Sequence, residues 1–539
     1  MKKRILICGE SSHIASGFGK YTKELLSRLY NTNKYDIAEL SCYRTSQTIK
    51  TEPWKIYPVA VPKGHKLYDQ YNNIPANKYG QWRFEAALCH FKPHIVIDFR
   101  DFWNFTFQEI SSLRPFYHWL ICPTYDSAPQ QIDTIETFKN ADSLCFHTEW
   151  AKNNLITQYN YSSTNIKEVL NDSIDHKVFR PLGHSKKFHK IKYGIPEDSF
   201  VIGSVMRNQK RKLLPDLIEV FSTIRKQHNN AILYLHTSYP DGMCWDLPAL
   251  LIEHNVANYV YFTYVCSRCK HHFAHIFNGN QIHCSKCNLK TASIASVLNK
   301  LDDTDIAKVY NLFDIYIQYA ICEGFGIPAL EAAGCGLPVI TIDRDAMGEV
   351  GKNINAILIP IKRIFRELET NANRFYPDND VLYNTISNCI NMPTKELNTI
   401  GKSCRQGALE HYNWDKTAAK YESVIDNIDC NNLINWDIPI RNIPKGYNIT
   451  KNYLSNREVI YDIVDNFIQE PWLKNTQFIQ HMVRSCDEKY RTNGIEMVPF
   501  DIKLAIKILE TYANNKRNAE QLRINVNNMH EDLKEFVNY

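Results

Sequence analysis

Residues 322–340 read CEGFGIPALEAAGCGLPVI, and this stretch is the most informative part of the chain. It connects two carboxylates, Glu323 and Glu331, through a glycine loop and the start of a helix. Pro328 suits the first turn of a helix because its missing N–H would be unpaired there. The electropositive N-terminus of that helix can face phosphate or sugar oxygens. A strand–turn–helix joint that carries two solvated acids is the alternative interpretation.

Length and composition bound the class of protein. The 539 residues suggest about three or four domains, and the composition, 44% hydrophobic and 22% charged, is ordinary for a globular protein. A net charge of +5 allows an anionic ligand but does not by itself indicate nucleic acid or a membrane surface. No apolar run reaches about 18 residues, so we expect no transmembrane helix, while peripheral membrane contact stays open. The sixteen cysteines are mostly scattered in apolar contexts, which favours a reducing compartment, and we expect a cytoplasmic protein.

Short apolar runs alternate with amphipathic stretches over the first 430 residues or so. In the first series we predict strands at residues 3–9, 94–98, 116–123 and 143–148 and helices at 19–30 and 149–159. In the second series we predict strands at residues 200–206, 231–236, 259–265, 313–319, 337–342 and 356–359 and a helix at 213–227. Such alternation predicts an α/β protein whose parallel sheets are covered by helices on both faces.

The two series divide the chain into domains. A loop near residue 182 separates them, so we predict two doubly wound, Rossmann-like domains, residues 1–182 and 183–430, that face each other across a cleft. A ligand is expected in that cleft, at the carboxyl ends of the strands. Residues 431–539 are expected to form a helical extension, with helices at 459–468, 476–490 and 502–515.

A cysteine-rich insertion, residues 264–292, interrupts the second domain. It contains Cys266-Ser267-Arg268-Cys269 and, fourteen residues later, Cys284-Ser285-Lys286-Cys287. Two Cys-x-x-Cys knuckles at this spacing predict a zinc-ribbon-like module in which Cys266, Cys269, Cys284 and Cys287 bind one structural zinc ion. Disulfides or chance are the alternatives, and disulfides conflict with a reducing compartment. One interpretation is that the basic surface of the module contacts an anionic acceptor or another protein. The other is that the zinc ion only stabilises an insertion that is too small to have its own core.

Two more loops follow predicted strands, where a doubly wound domain binds its ligand. Ser16-Gly17-Phe18-Gly19 follows the first strand, and a plain tight turn is its alternative interpretation. Residues 207–212 read RNQKRK and place four cations after the first strand of the second domain. Arg offers planar bidentate donors and Lys a point charge, so this loop can neutralise a diphosphate. A solvated charged loop and contact with a nucleic-acid backbone are the other interpretations.

From residue 3 to about residue 428 these segments resemble the family-4 glycosyltransferases of the GT-B fold. The most specific part is Glu323 to Glu331, which fits the Glu-x7-Glu motif of that family. Residues 171–181 resemble the family's interdomain segment, and residues 414–428 resemble the closing helix that crosses back onto the first domain. The zinc knuckles and the extension are not part of the family's common core.

The resemblance implies transfer of a sugar, with retention of configuration, from a nucleotide-sugar linked to UDP, GDP or ADP. Arg207 and Lys212 match the Arg and Lys of the family that stabilise the departing diphosphate. Glu323 would contact the donor sugar, and Glu331 would accept hydrogen bonds from the ribose hydroxyls. The other expected donor-binding residues are Gly17, Gly19, Gly324, Phe325 and Gly326. In front-face displacement the leaving phosphate takes the acceptor's proton, so neither a protein base nor a catalytic metal is expected.

The sequence departs from the family after the strand that ends near Pro123. Many members have His-Asp there, and the histidine meets the donor sugar, whereas this chain has Tyr125-Asp126. Asp126, and His147 at another predicted strand end, are further candidate site residues.

The acceptor is left open by the sequence: its hydroxyl belongs to a glycan, a lipid, a protein or a modified nucleobase, so nucleic acid remains among the partners. A second hypothesis is a nucleic-acid-binding or scaffolding protein on the same framework that uses the zinc module and the basic loop. A nucleotide-sugar epimerase is a weaker one. Glu323, Glu331, Arg207 and Lys212 together favour the transferase, since a decayed enzyme has little reason to keep all four.

Overall fold

The computed structural model describes residues 2–14, 16–111, 113–159, 161, 164–240, 244–279, 281–296, 299–433 and 436. The three helices expected at 459–468, 476–490 and 502–515 lie outside the described residues. Within the described ranges no helix is both long and apolar enough to cross a membrane.

The first domain is built on a parallel sheet of seven strands. The strands are β1 (Lys3–Glu10), β2 (Tyr35–Cys42), β3 (Lys55–Pro58), β4 (Ile95–Asp98), β5 (His118–Ile121), β6 (Ser143–Phe146) and β7 (Ile166–Val169). The helices are α1 (Gly17–Asn31), α2 (Tyr68–Asn73), α3 (Pro75–Lys78), α4 (Gln81–Phe91), α5 (Thr106–Glu109), α6 (Ile132–Asn140) and α7 (Glu149–Tyr159). The order β3-β2-β1-β4-β5-β6-β7 is doubly wound: the chain moves outward from β1 in one direction and then in the other.

The second domain repeats this plan with a nine-stranded sheet and a hairpin. The sheet strands are β8 (Phe200–Val205), β9 (Ala231–His236), β10 (Val260–Cys266), β11 (His272–Ile276), β12 (Ile282–His283), β13 (Lys290–Ile294), β14 (Ile315–Ile317), β15 (Val339–Ile342) and β16 (Ile357–Ile359). The hairpin strands are β17 (Ile361–Arg366) and β18 (Asn373–Pro377). The parallel core has the order β10-β9-β8-β14-β15-β16, which is again doubly wound.

Nine helices among the described residues accompany the second sheet or follow it. They are α8 (Lys186–Tyr193), α9 (Leu214–Gln227), α10 (Leu247–Glu253), α11 (Asp303–Tyr310), α12 (Ile327–Gly334), α13 (Asp345–Asn353), α14 (Asn379–Asn391), α15 (Thr394–His411) and α16 (Trp414–Asp426). The two Rossmann-like domains confirm the predicted fold class.

Apolar runs form the central strands because helices cover both faces of each sheet. Every residue of β4 and of β15 is buried. Gly203 in β8 shows how closely the layers approach, since a Cβ atom there would lie 2.0 Å from the ring of Phe313. A glycine is therefore required where the strand crosses this ring.

The last described helix, α16, returns to the first domain. Its C-terminal carbonyls accept hydrogen bonds from the ammonium of Lys3, at 2.7 Å from the oxygen of Ile425 and 2.9 Å from that of Asp426. A cation at this end of a helix complements the helix dipole. The hydroxyls of Tyr21 and Tyr421 lie 3.0 Å apart and connect α1 with α16. The predicted closing helix therefore packs where expected.

The cysteine-rich insertion is an extension of the second sheet. Strand β10 pairs with β9 through Val260–Phe262 and then continues outward, pairing with β11 along one edge and with β13 at Tyr264–Cys266. The insertion is therefore anchored by backbone hydrogen bonds to the sheet that carries the cleft residues.

Candidate active site

The two glycine loops meet across the cleft between the domains. A Cβ atom placed on Gly324 would lie 2.3 Å from Cγ2 of Thr124 in the first domain, and one on Gly17 would lie 3.8 Å from Ile327 in the second. Gly19 is equally confined, because its Cβ would lie 2.2 Å from the carbonyl oxygen of Ile14. Gly324 therefore allows its loop to pack closely against Thr124 of the first domain, whereas Gly19 is required by the close packing of its own loop.

Glu323 lies in a buried cluster of charged and polar side chains. Its carboxylate contacts the ammonium of Lys212, and the side chains of both residues are less than a tenth exposed. The amide of Gln318 donates to Glu323 Oε1 at 3.0 Å. The guanidinium of Arg211 lies 3.5 Å from Glu323 Oε2. Two basic side chains therefore lie against one carboxylate, and their N–H groups are suited to bind an anionic ligand.

Backbone pairing brings Lys212 to Glu323, more than a hundred residues along the chain. The N–H of Ile321 donates to the carbonyl of Arg211 at 2.9 Å, and the N–H of Leu213 donates to that of Tyr319 at 3.1 Å. The indole of Trp245 donates to the Lys212 carbonyl at 2.8 Å. The loop after β8 is thus held against the strand end that precedes Glu323.

Burial, and next the charge of Arg211, lower the pKa of Lys212 well below its usual range. The contact with the Glu323 carboxylate favours the charged ammonium and acts in the opposite direction. The Glu323 carboxylate, and an anionic diphosphate bound beside it, favour the ammonium form, so Lys212 acts as a point charge on a bound ligand.

Glu331 lies in α12, and its carboxylate is held from two sides. The hydroxyl of Tyr310 donates to Oε2 at 2.8 Å. The ammonium of Lys20, which belongs to α1 of the first domain, donates to Oε1 at 3.1 Å. The structure thus places Glu331 at the boundary between the two domains.

The remaining predicted donor-binding residues differ in what they can offer. Gly326 adopts φ +101° and precedes the first turn of α12, whose amides face outward. The Phe325 side chain is buried and packs edge-on against Tyr412, so its backbone is the part that can contribute to the cleft. Arg207 follows β8, and its side chain is exposed, whereas its neighbour Arg211 is the arginine that approaches Glu323.

Asp126 faces the second domain, while its neighbour Tyr125 does not. Asp126 lies 3.6 Å from the guanidinium of Arg374 and 3.6 Å from the thiol of Cys322. Tyr125 is buried and donates its hydroxyl to Asn154 at 2.6 Å. At the point where this chain lacks the family's histidine, the tyrosine is therefore a core residue.

His147 is enclosed beneath the cleft. Its Nδ1 lies 3.2 Å from Asp172, its Nε2 lies 3.7 Å from the thiol of Cys122, and its ring packs edge-on against Tyr21. Burial lowers its pKa, but Cys122 and Asp172 outweigh burial and raise it well above the usual value. These contacts give His147 a structural place between the first domain and the interdomain segment.

Sequence reasoning missed three charged residues of the cleft. Asp101 follows β4, and burial, together with the charge of Asp126, raises its pKa to about 6. Lys20 and Arg374 reach the cleft from α1 and β18. The signal for Asp101 was present, since it follows a buried strand at its carboxyl end. The positions of Lys20 and Arg374 depend on the docking of the two domains, which no local pattern encodes.

The four predicted metal ligands come together. The sulfurs of Cys266 and Cys287 lie 3.7 Å apart, those of Cys269 and Cys284 lie 3.6 Å apart, and all four lie within 4.8 Å of one another. Four sulfurs about 2.3 Å from a tetrahedral zinc ion are separated by about 3.8 Å, whereas a disulfide needs about 2.05 Å. The backbone N–H groups of Cys269 and Lys286 donate to two of the sulfurs at 3.4 Å. The donor set and its spacing therefore fit zinc.

Part of the chain matches a known protein family. Residues 280–366, which include Glu323 and Glu331, match the family described as "Glycosyl transferases group 1". No curated protein matches the sequence.

Several solved structures have a similar fold over four fifths of the chain. A sucrose-phosphate synthase from Thermosynechococcus elongatus superposes with a TM-score of 0.57 at 16% identity and covers 79% of this chain and 98% of its own. A glycosyltransferase from Rickettsia africae ESF-5 superposes with a TM-score of 0.54 at 14% identity, and the match covers 79% of this chain and 100% of that one. Anabaena HepE, in complex with UDP and glucose, superposes with a TM-score of 0.51 at 12% identity, and the match covers 79% of this chain and 100% of that one. At these identities the likeness shows the fold, which is the GT-B fold.

Proposed function

We propose that this chain is a retaining glycosyltransferase that moves a sugar from a nucleotide-diphospho-sugar to an acceptor hydroxyl. The observation that carries the proposal is the contact of buried Glu323 with buried Lys212 and partly exposed Arg211 just before α12, with Glu331 in that helix. The family match over residues 280–366 and the GT-B fold support it.

The cluster provides charge stabilisation for departure of a diphosphate. In the proposed reaction the bond from the anomeric carbon to the diphosphate oxygen breaks, and the acceptor oxygen bonds to that carbon on the same face. The acceptor's proton passes to the departing phosphate. Lys212 and Arg211, with Arg207 at the rim, stabilise the negative charge that develops on the leaving group. Glu323 contacts the donor sugar, and Glu331 accepts hydrogen bonds from the ribose.

The close approach of the two domains serves the same reaction. Gly324 lies against Thr124, and the backbone N–H of Asn373 donates to the carbonyl of Ala128 across the cleft at 2.9 Å. A closed cleft excludes water, which would otherwise hydrolyse the donor.

A donor panel tests the proposal. UDP-, GDP- and ADP-sugars are scored by thermal shift and by slow release of free sugar, with UDP-sugars first because the Anabaena HepE structure contains UDP. At least one nucleotide-sugar should raise the melting temperature and be hydrolysed slowly, and Glu323→Gln should remove hydrolysis without unfolding the protein. If no nucleotide-sugar shifts the melting temperature, the proposal fails.

We also propose that the four cysteines bind a structural zinc ion. All four positions are taken by thiolates, so such a site is closed and has no role in the transfer step. None of the described cysteines forms a disulfide, which supports a reducing compartment and hence the cytoplasm.

A second candidate function, contact with nucleic acid, rests on the surface of the zinc module. Arg268, Lys270, Lys286 and Lys290 are exposed there, and among the described residues none of them has a carboxylate partner. Residues 254–301 contain no Asp or Glu. Binding to DNA or RNA that weakens steeply with salt would support an acceptor of this kind, and no binding at low salt would reject it.

A further inference from the structure

Lys20 connects the two domains at the ribose-binding side of the proposed donor site. It lies in the second turn of α1, in the first domain, and its Nζ is 2.6 Å from Oδ1 of Asp303 and 3.1 Å from Oε1 of Glu331. Both carboxylates belong to the second domain, at the start of α11 and within α12. The same ammonium lies 5.6 Å from the ring centroid of Phe179, in the segment between the domains. A single cation from one domain therefore joins two helices of the other.

The burial of these groups makes the contact more than a surface ion pair. The side chain of Lys20 is 25% exposed and that of Glu331 is 6% exposed. Burial disfavours the charge on Lys20, but the carboxylates of Glu331 and Asp303 outweigh burial and raise its pKa. Without this ammonium, the carboxylate of Glu331 would be left buried beside another acid. Leaving a buried charge without its partner is costly.

The hydrogen bonds of Glu331 leave room for a ligand. Tyr310 occupies one acceptor position of Oε2, and Lys20 occupies one of Oε1. Each carboxylate oxygen has two lone pairs, so one position remains on each oxygen, which suits two neighbouring hydroxyls of a ribose. Lys20 has three N–H donors, of which Asp303 and Glu331 take two. Its third N–H can donate to an oxygen of the same ligand.

From this geometry we propose that Lys20 is a positioning residue of the donor site, supplied by the opposite domain, which holds Glu331 in the orientation that binds the ribose of a nucleotide. The inference rests on the proposed function. It means that the ribose subsite is complete only while the two domains are closed, because Lys20 moves with the first domain and Glu331 with the second. Nucleotide binding and closure are then coupled, since each favours the same arrangement.

A purely structural role for Lys20 is the competing explanation, and α1 offers a matched control for it. Lys34 follows the same helix and makes an ion pair at 2.8 Å with Glu422 of α16, far along the chain from Glu331. Lys34→Met therefore removes a lysine and a long-range ion pair beyond the opposite end of α1, without touching the ribose subsite.

The test measures binding of UDP, GDP and ADP, and of the 2′,3′-dideoxy form of whichever binds tightest, by titration calorimetry to full-length wild type, Lys20→Met and Lys34→Met. Lys20→Met should lower the affinity for the tightest-binding nucleoside diphosphate at least tenfold. This variant should bind that nucleotide and its dideoxy form with almost the same affinity. The affinities of Lys34→Met for the nucleotide and for its dideoxy form should stay within about twofold of those of the wild type. Lys20→Arg should recover part of the lost affinity.

The outcomes separate this inference from the proposed function. If wild type binds none of the three nucleotides, the proposed function itself fails. If wild type binds and Lys20→Met keeps the full preference for the ribose hydroxyls over the dideoxy form, Lys20 is only a tether between the domains and the inference is overturned, while the proposed function stands. Circular dichroism and the melting temperature of each variant show that a loss of binding is not a loss of folding.

Discussion

Lys210 and Lys212 are two residues apart and have opposite surroundings. Lys210 is 61% exposed and pairs with Glu369 on the surface, whereas Lys212 is 7% exposed and contacts Glu323 in the cleft. We expect Lys212→Met to lower kcat/KM for the donor by about 10²–10³-fold, because a charge that is already desolvated stabilises the leaving group. Lys210→Met is the control and should change the rate less than threefold. Equal effects of both variants in a steady-state assay would contradict the assignment.

His118 carries a prediction about pH. Burial lowers its pKa to about 4, below the value of about 6.5 that the unfolded chain has, so the unfolded state binds the extra proton. The contribution of neutral His118 to the free energy of unfolding is therefore fully present above about pH 6.5. As the pH falls toward 4, the free energy of unfolding decreases by up to about 3 kcal/mol. Urea unfolding of wild type and His118→Gln between pH 7 and pH 4 measures this, with exposed His411→Gln as the control. An identical slope in wild type and His118→Gln would show that another group is responsible.

At the scale of single residues, the sequence indicated the type of side chain better than its direction. Glu323, Glu331 and Lys212 were found because their spacing survives as a pattern, and the structure places all three in the cleft. Phe325 and His147 share the same kind of strand-end context, but their side chains pack inward. Direction is set by neighbours from distant parts of the chain, which a local pattern does not contain.

The strands and helices themselves follow closely from apolar periodicity. All the predicted strands and helices within the described residues agree with the structure to within two residues at each end. The pattern missed β2, β3, β7, the strands β11–β13 of the insertion and the β17–β18 hairpin, and it also missed helices such as α4, α14 and α15. Tyr35–Cys42 mixes acids with apolar residues, and its Glu39 is buried only because it accepts hydrogen bonds from Ser12 and Trp54. A strand of this kind cannot be predicted as buried from its own residues, because the hydrogen-bond partners of its acid lie elsewhere in the sequence.

Strand β8 provides a test of packing at the scale of an element. An alanine at Gly203 would bring a Cβ to within 2.0 Å of Phe313, so the strand or the ring must move. We expect Gly203→Ala to reduce the free energy of unfolding by about 1–3 kcal/mol or more, as overpacked cores do. Gly183→Ala is the control, because a Cβ there meets nothing within 4 Å. Denaturant unfolding measures both variants, and equal stability would mean that the layers are looser than described.

The zinc module is a second element with its own prediction. Metal analysis of the purified protein should find about one zinc ion per chain, since the four thiolates close one tetrahedral site. Cys284→Ser should lose the ion and lower the melting temperature, because the module has little core of its own. Cys430 lies outside the cluster, so Cys430→Ser should keep the zinc ion and the melting temperature of the wild type. A folded, metal-free wild type would refute the zinc site.

At the scale of the whole molecule, a carboxylate of one domain caps a helix of the other. Glu349 in α13 accepts hydrogen bonds from the backbone N–H groups of Glu149, at 3.0 Å, and Trp150, at 2.5 Å, at the start of α7. Removing a cap of this kind costs about 1 kcal/mol. We expect Glu349→Ala to speed hydrogen exchange of these two amides about fivefold, measured by mass spectrometry. Lys352 lies on the same helix and, among the described residues, forms an ion pair with exposed Asp343, so Lys352→Ala should leave exchange of the two amides unchanged. Unaltered exchange in Glu349→Ala would show that the domains are not held at this point.

The sequence by itself determined the two alternating halves, the four-cysteine group and the pair of glutamates around a helix start, because each is a local pattern with a fixed period or spacing. Only the tertiary structure decided that Arg211, besides Lys212, approaches Glu323, that Tyr125 is a core residue, and that Lys20 reaches Glu331 from the other domain. The physical reason is that these contacts join residues from about thirty to three hundred positions apart, whose meeting depends on how sheets and domains pack. Residues 322–340 encode one wall of the cleft, and the first domain supplies the wall that faces it.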